Sequence, residues 1–401
     1  EYIQSVLANN PEMLQDYLKG IADRKEILPS SQNRQSGGDE TYVIPVVVHI
    51  VYSATTQNVT DEQVLSQIEV LNEDYNRLND DADNTPSEFE DNAGSANVEF
   101  KLAQYDEDGN PTTGITRTET DISSWNLFAA ASADNYAEKV KSTDDAGIDG
   151  WDRDCYLNIW VCNLSGGILG FSSFPDFGIA SRDGVVICYK YFGRDGTAFS
   201  PFDKGRTATH EVGHWLGLYH IWGDDGGTCS GSDDISDTPN QAEETYFCPS
   251  FPTTDACSPL SPGIMFMNYM DYTDDDCMNM FTEGQVDEMR NILETDRESL
   301  ITCTIPFTED IVNINGNLID ADIYPNPTED GNFYVYIKNP VEKELMLQIY
   351  TIDGHLIYTV NENAAAEHTI NIDLHDHANG IYLVKIFDGY NYFTKQIVIA
   401  K

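Results

Sequence analysis

The sequence predicts an α/β (α+β) domain built on a mixed sheet with one histidine-bearing helix, followed by a small C-terminal all-β sandwich. Three observations carry that expectation. Nearly continuous apolar runs such as YVIPVVVHIVY alternate with amphipathic helical segments up to His220, an order that layers helices on a sheet. Beyond His220 the periodicity collapses into a cysteine-, Asp- and Pro-rich stretch reaching Phe281, and irregular backbone of that length inside a compact domain is usually functional and cross-linked. From residue 321 to 401 short alternating strands are broken by DGH, NG and DGY turns, the pattern of a sandwich.

At 401 residues the chain has room for two or three units. Residues 1–40 read as a helical, acidic lead with Ile3, Leu7, Met13, Leu14, Tyr17, Leu18 and Ile21 near helical spacing, ended by SSQNRQSGGDE. The main unit spans 41–303 and opens on YVIPVVVHIVY, whose apolar character at almost every position implies burial on both faces. VTDEQ supplies a capping-type start for the helix DEQVLSQIEVLNEDYNRL, which carries Val64, Ile68, Val70, Leu71 and Tyr75 along one side. Strands follow at VEFKLAQYD, CYLNIWVCNL, ILGFSSF and DGVVICYKYF. After the irregular stretch, regular structure returns in the helix TEGQVDEMRNILETDRESLI. A linker over 304–320 leads to the last unit, 321–401, with strands at NFYVYI, LMLQIYT, IYLVKIF and FTKQIVIA.

Sixty-eight acidic against 22 basic residues leave a formal charge of −46. So acidic a surface repels phosphate backbones and anionic headgroups, which argues against nucleic acid and membrane surfaces as partners. No apolar run is long enough to span a bilayer. The excess is a solvated face or, in part, a calcium-binding one. A start at Glu1, without an apolar leader, is expected of an exported chain whose signal has been removed. None of the eight cysteines forms a CxxC pair, which suits disulfides in an exported protein better than a zinc knuckle. Eight cysteines allow 105 full pairings, so spacing alone leaves the connectivity open. Cys155 and Cys162 cannot pair along one strand, because seven residues span roughly 23 Å.

The chemistry concentrates in HEVGHWLGLYHIW. His210 and His214 are four apart and project from one helix face, as two imidazoles must to share a metal. Glu211 beside them can reach a metal-activated water and take its proton, which makes it the candidate general base. Gly217 can adopt the left-handed conformation that ends a helix, letting the chain turn so that His220 becomes the third ligand. Three nitrogens and one open position describe a catalytic zinc site rather than a structural one.

At these residues the chain resembles the metzincin clan of zinc peptidases and, more closely, its pappalysin family. The likeness is carried by HEVGHWLGLYHIWG, the DTP at 237–239, the cysteines around it and NYMDYTDDDCMNMFTEGQ, and it covers residues 42–303. It implies a metzincin-like catalytic fold with Zn2+ as cofactor, Met270 as a structural floor beneath the metal, and Tyr272 as hydrogen-bond donor to the developing oxyanion. It also implies the disulfides Cys229–Cys257 and Cys248–Cys277. Of the remaining cysteines, Cys155 with Cys188 is the favoured pair, since both fall on or near neighbouring strands.

The same resemblance implies structural Ca2+ in GSDDISDTPNQ, with Asp233, Asp237 and Thr238 as candidate ligands, Asp234 as an alternative and a plain loop as the competing reading. Asp275, five beyond Met270 and flanked by Asp274 and Asp276, becomes the carboxylate that selects Arg or Lys just after the scissile bond. ILGFSSF, with Gly170, becomes the upper rim that pairs with extended substrate, or else a plain edge strand. By position the lead is a latency pro-segment. Relatives can use cysteine to block the metal, and residues 1–154 contain none. A carboxylate is expected instead, Asp39 first and Asp16 or Asp23 next, with Arg24, Lys25 and Arg34 as processing points.

The last unit resembles the C-terminal sorting domain of type IX secretion through IYPNPTEDGNFYV, TIDGHLIY, NGIYLVKI and KQIVIAK, with an adhesive or carbohydrate-binding sandwich as the competing reading. The expectation is therefore a secreted or cell-surface zinc endopeptidase, made as a zymogen, monomeric, with protein or peptide substrates and the type IX machinery as partners. The rival is an adhesin or binding protein on a metalloprotease-like scaffold.

Overall fold

The computed structural model describes residues 41–175, 179–224, 226–303, 321–328, 330–337, 343–351, 356–364, 368–387 and 392–401. Asp16, Asp23 and Asp39 lie outside the described residues. The chain divides into two compact units between Ile305 and Pro306.

The first unit is organised by one long strand, β1 (Tyr42–Tyr52), which pairs in parallel with β2 (Val98–Leu102) along its first half and with β3 (Ile115–Glu119) along its second. On its other side lie β4 (Leu157–Cys162), then β5 and β6, where β6 (Val185–Cys188) is parallel to β4 and β5 (Gly170–Ser172) closes the edge antiparallel to β6. The sheet is therefore mixed, with a three-residue antiparallel strand at one border.

Period-two alternation sends alternate residues to opposite faces. Leu157, Ile159 and Val161 of β4, with Val185 and Ile187 of β6, face a core shared with three helices: α1 (Asp61–Tyr75), α2 (Arg206–Trp215) and α3 (Glu283–Glu294). Trp160, Cys162, Val186 and Cys188 face a second apolar cluster roofed by Trp125, Leu127 and Val140. Burial on both faces is why the strands read as continuous apolar runs. Helices and strands alternate less regularly than expected. Between β2 and α2 the described connections are irregular, with short 3-10 turns such as Ala137–Lys141, and the expected last helix splits into α3 and α4 (Glu298–Thr302).

Three disulfides are present: Cys155–Cys303, Cys229–Cys257 and Cys248–Cys277. The expected Cys155–Cys188 pair is not formed. Cys188 stands opposite Cys162 in the parallel ladder, so it lies at the far end of β4 from Cys155. A gap of about 20 Å follows from 3.3 Å per residue, beyond the reach of a disulfide. Cys155 instead meets Cys303 just after α4, and Cys162 and Cys188 are buried thiols.

The second unit consists of two antiparallel sheets, one of strands Ala321–Tyr324, Asn332–Ile337 and His368–Asp373, the other of Lys343–Thr351, Leu356–Ala364, Gly380–Phe387 and Tyr392–Ile399. Phe333, Val335 and Ile372 from the first sheet and Leu347, Val384 and Ile397 from the second bury one apolar core between them.

Candidate metal centre and cleft

Every residue of α2 is buried, so its polar side chains face the protein rather than bulk water. The helix ends as its sequence requires. Gly217 has φ +92°, its N–H donates to the carbonyl of His214, and the Leu218 N–H reaches back to the carbonyl of Gly213, the paired bonds of a Schellman turn. The turn brings His220 back to the helix face that bears His210 and His214. One ligand nitrogen from each of the three lies within 4.8 Å of the others, with His214 Nε2 3.0 Å from His220 Nε2.

Each imidazole is oriented through its other nitrogen. His210 Nδ1 donates to the carbonyl of Tyr269 at 2.7 Å, His214 Nδ1 to that of Leu218 at 2.7 Å, and His220 Nδ1 meets Asp224 Oδ2 at 3.0 Å. A carbonyl only accepts, so the Nε2 atoms of His210 and His214 carry bare lone pairs. Burial pushes His210 down to about 3 and His214 well below its ordinary value, which keeps both neutral. Converging neutral nitrogen acceptors with outer-shell partners are the donor set a zinc ion fits.

Glu211 is buried beside the trio, and burial pushes its carboxyl up to about 8. Gly170 of the edge strand lies against it: a Cβ at 170 would come within 3.0 Å of Glu211 Cγ and 2.9 Å of the Val186 carbonyl. Met270 lies beneath the helix at Gly213, where an added Cβ would stand 2.6 Å from its Sδ. The Tyr272 hydroxyl is 3.1 Å from His220 Nε2. A cavity of about 570 Å³ opens over these groups, bordered by the edge strand, Phe174, Tyr219, Tyr246 and Asp275.

Asp275 does border the cavity, yet its Oδ2 accepts the N–H of Lys204 at 2.8 Å and of Arg206 at 3.4 Å, so it also caps the first turn of α2. Burial pushes it up to about 7 against those bonds. The expected calcium ligands part company. Thr238 donates its hydroxyl to Asp233 at 2.8 Å, whereas Asp237 turns to α3, accepting from the Thr282 hydroxyl at 2.7 Å and the Gly284 N–H at 2.9 Å. Among the described residues the three histidines form the one group of three or more His, Cys, Asp or Glu side chains gathered tightly enough for a metal.

Several supporting residues escape a reading of the sequence. Asp74 on α1 accepts the hydroxyls of Tyr269 and Thr209, each at 2.8 Å, and so ties Tyr269, whose carbonyl accepts from His210, to the helix that carries His210. Arg206 makes a two-pronged pair with Asp81 at 2.6 and 2.7 Å. Asp183 accepts from Arg297 at 2.9 and 3.1 Å and from Trp215 Nε1 at 3.0 Å, pinning the end of α2. Only Asp224, four residues after a histidine ligand, carried a local signal that could have been used.

Two family models match. One, described as pregnancy-associated plasma protein-A, a peptidase family, covers residues 141–294, and the other, a secretion system C-terminal sorting domain, covers 322–400. Mature mirolysin of Tannerella forsythia, solved with a cleaved peptide, is 55% identical, with 66% of this chain and 96% of that one covered at a TM-score of 0.61. A promirolysin mutant from the same organism is 50% identical over 73% of this chain and 91% of its own, with a TM-score of 0.64. An extracellular metalloprotease of Arthroderma benhamiae is 32% identical over 258 residues, which covers 61% of this chain and 75% of the relative.

Proposed function

The chain belongs to the pappalysin family of metzincin zinc peptidases, and from that premise we propose how its own residues cut a peptide bond. It is a secreted or cell-surface metalloendopeptidase with a type IX sorting tail. His210, His214 and His220 hold the zinc ion, which when bound supplies Lewis acidity, acidifying water to a pKa of about 7 and polarising a carbonyl. Glu211 takes the proton of the attacking water and hands it to the departing amine nitrogen. Tyr272 donates its hydroxyl to the oxyanion as the carbonyl carbon becomes tetrahedral. Met270 floors the site, Gly217 delivers His220, and Gly170, with no side chain to press on Glu211, lets extended substrate lie along the rim.

Asp275 receives Arg or Lys after the scissile bond. Its position in the cavity supports this, and only one of its oxygens is engaged by the backbone of α2. Asp233 with Thr238 forms the protein half of a calcium site that stiffens the loop after the zinc helix. Residues 1–40 act as a pro-segment, with Asp39 blocking the metal until processing. Likeness to a promirolysin supports a zymogen, and an unprocessed Asp39→Ala chain that stays fully latent would remove that residue from the role.

The observation that carries the reaction is the convergence of three imidazole nitrogens within 4.8 Å beside a buried glutamate. Casein digestion by the processed protein is expected to stop on zinc chelation, and Glu211→Ala to lower it by about 10³-fold or more while one zinc per chain is retained. Undiminished cleavage in that variant overturns the mechanism.

A further inference from the structure

The two ends of α2 meet the cleft with different chemistry, and the edge strand settles which part of a peptide meets which end. In the β5–β6 ladder the Cys188 N–H donates to the carbonyl of Leu169 and the Ser173 N–H to that of Gly184. Antiparallel alternation therefore turns residues 169, 171 and 173 toward the sheet and points the main-chain groups of Gly170 and Ser172 away from it. Gly170 lies at the level of Glu211, and four residues on Phe174 packs against His214 with ring centroids 5.3 Å apart. The edge strand thus runs in the same sense as α2, from the level of Glu211 toward the helix C-terminus. Asp275 is at the opposite end, on the N–H groups of Lys204 and Arg206.

A peptide that places the residue after its scissile bond at Asp275 runs antiparallel to the edge strand, and its amino side passes Phe174. Phe174 there stacks on Tyr219 at 5.4 Å and 22°, and both border the cavity. The carboxylate on that side, Asp224, is engaged by His220 at 3.0 and 3.1 Å. Phe174 is buried between His214 and Tyr219, so it backs the half-buried Tyr219 ring, and that aromatic surface, with the carboxylate already paired, favours an apolar, above all an aromatic, side chain. Resting on the reaction and on Asp275 as assigned above, we propose that Phe174 and Tyr219 form a subsite for an apolar or aromatic residue on the amino side of the scissile bond, within three positions of it.

The test is a peptide library cleaved by the full-length protein after processing, with Arg fixed after the bond and the three preceding positions varied. Phe, Tyr, Trp or Leu is expected to exceed Gly or Asp by ~10- to 100-fold in kcat/KM at one of those positions. In Tyr219→Ala that ratio is expected to fall to within about threefold of unity, and in Phe174→Leu to shift from aromatic toward aliphatic side chains. Both peptides are read on one sample, so the ratio is insensitive to the folded fraction. A flat profile at all three positions in an enzyme that still cuts before Arg overturns the subsite alone, as does an unchanged ratio in Tyr219→Ala. An aromatic preference found after the bond overturns the peptide direction and the subsite with it. If no peptide is cut, the reaction and the subsite fall together. Loss of the Arg preference in Asp275→Asn with the aromatic preference kept supports two separate sites.

Discussion

Up to the end of α2 the catalytic unit is held by apolar burial: Val46, Val48, Ile50, Ile159 and Val161 from the sheet pack against Val64, Leu71, Val212 and Trp215 from the helices. Among the described residues from Leu216 to Phe281 there is no α-helix and no strand, and the means change. Two interleaved disulfides cross this segment, and buried polar side chains take over the work of a ladder. Asp271 accepts the N–H groups of Thr245 and Tyr272 and the amide of Gln241, while Asn268 and Gln285 exchange hydrogen bonds at 2.7 and 3.0 Å. Buried backbone must be hydrogen-bonded somewhere, and without ladders side chains share that task with isolated backbone bonds such as Ile264 N–H to the Thr253 carbonyl, while the disulfides restrict the chain. The difference separates a half held mainly by apolar packing from a half where buried polar side chains and disulfides work beside an apolar cluster that includes Ile221, Trp222, Ile264 and Met267.

The comparison predicts how each half breaks. The largest effect is expected at a buried ion pair that the regular half sends to Arg297. Asp183→Ala leaves Arg297 buried without its partner and should cost about 3 to 5 kcal/mol in denaturant unfolding. Burial alone would raise the Asp183 carboxyl, but the Arg297 charge and hydrogen bonds hold it below its ordinary value. A carboxylate depressed in the folded state adds stability that is full above about pH 4 and is lost as pH falls through its folded value. The gap between the protein and Asp183→Asn should therefore be widest above about pH 5 and close in acid.

Next, removing Cys248–Cys277 in a double serine variant should cost about 3 to 4 kcal/mol from its 29-residue separation, and hydrogen exchange should rise in 241–277 before it rises in the sheet. Exchange rising equally in both halves would contradict two separate means of support. Asp271→Asn, which keeps the shape but replaces an acceptor by a donor against backbone N–H groups, should cost about 2 kcal/mol and lower peptidase activity through Tyr272. The smallest effect is expected at the junction of the halves: Gly217→Ala, at φ +92°, should cost about 1 kcal/mol and weaken zinc retention by displacing His220.

The same division explains what could be read from the residues alone. YVIPVVVHIVY, the helix from Asp61 and the HExxHxxGxxH spacing were legible because periodicity and ligand spacing are local. β3, ITRTE, was not, since its half-polar text gains strand geometry only by pairing with the second half of β1. Cys155–Cys303 spans 148 residues and depends on which end of a parallel strand each cysteine occupies, which no local pattern encodes. Asp74 and Asp183 have partners 135 and 114 residues away, so in the sequence they are two among 68 acids. The resemblance implies Asp237 as a calcium ligand, and its bonds to the N-terminus of α3, 45 and 47 residues away, are not encoded in that local match.

Cys155–Cys303 closes a loop that contains both ends of the cleft and the whole irregular segment, and the two inner disulfides overlap inside it. The exposed turns of a peptidase are natural places for another copy to nick it. A single cut anywhere between Cys155 and Cys303 releases no fragment: the pieces stay tethered and migrate as one band until a reductant is added. The loop thus makes the molecule tolerant of its own activity, since a nicked copy keeps its halves in register instead of losing one by diffusion.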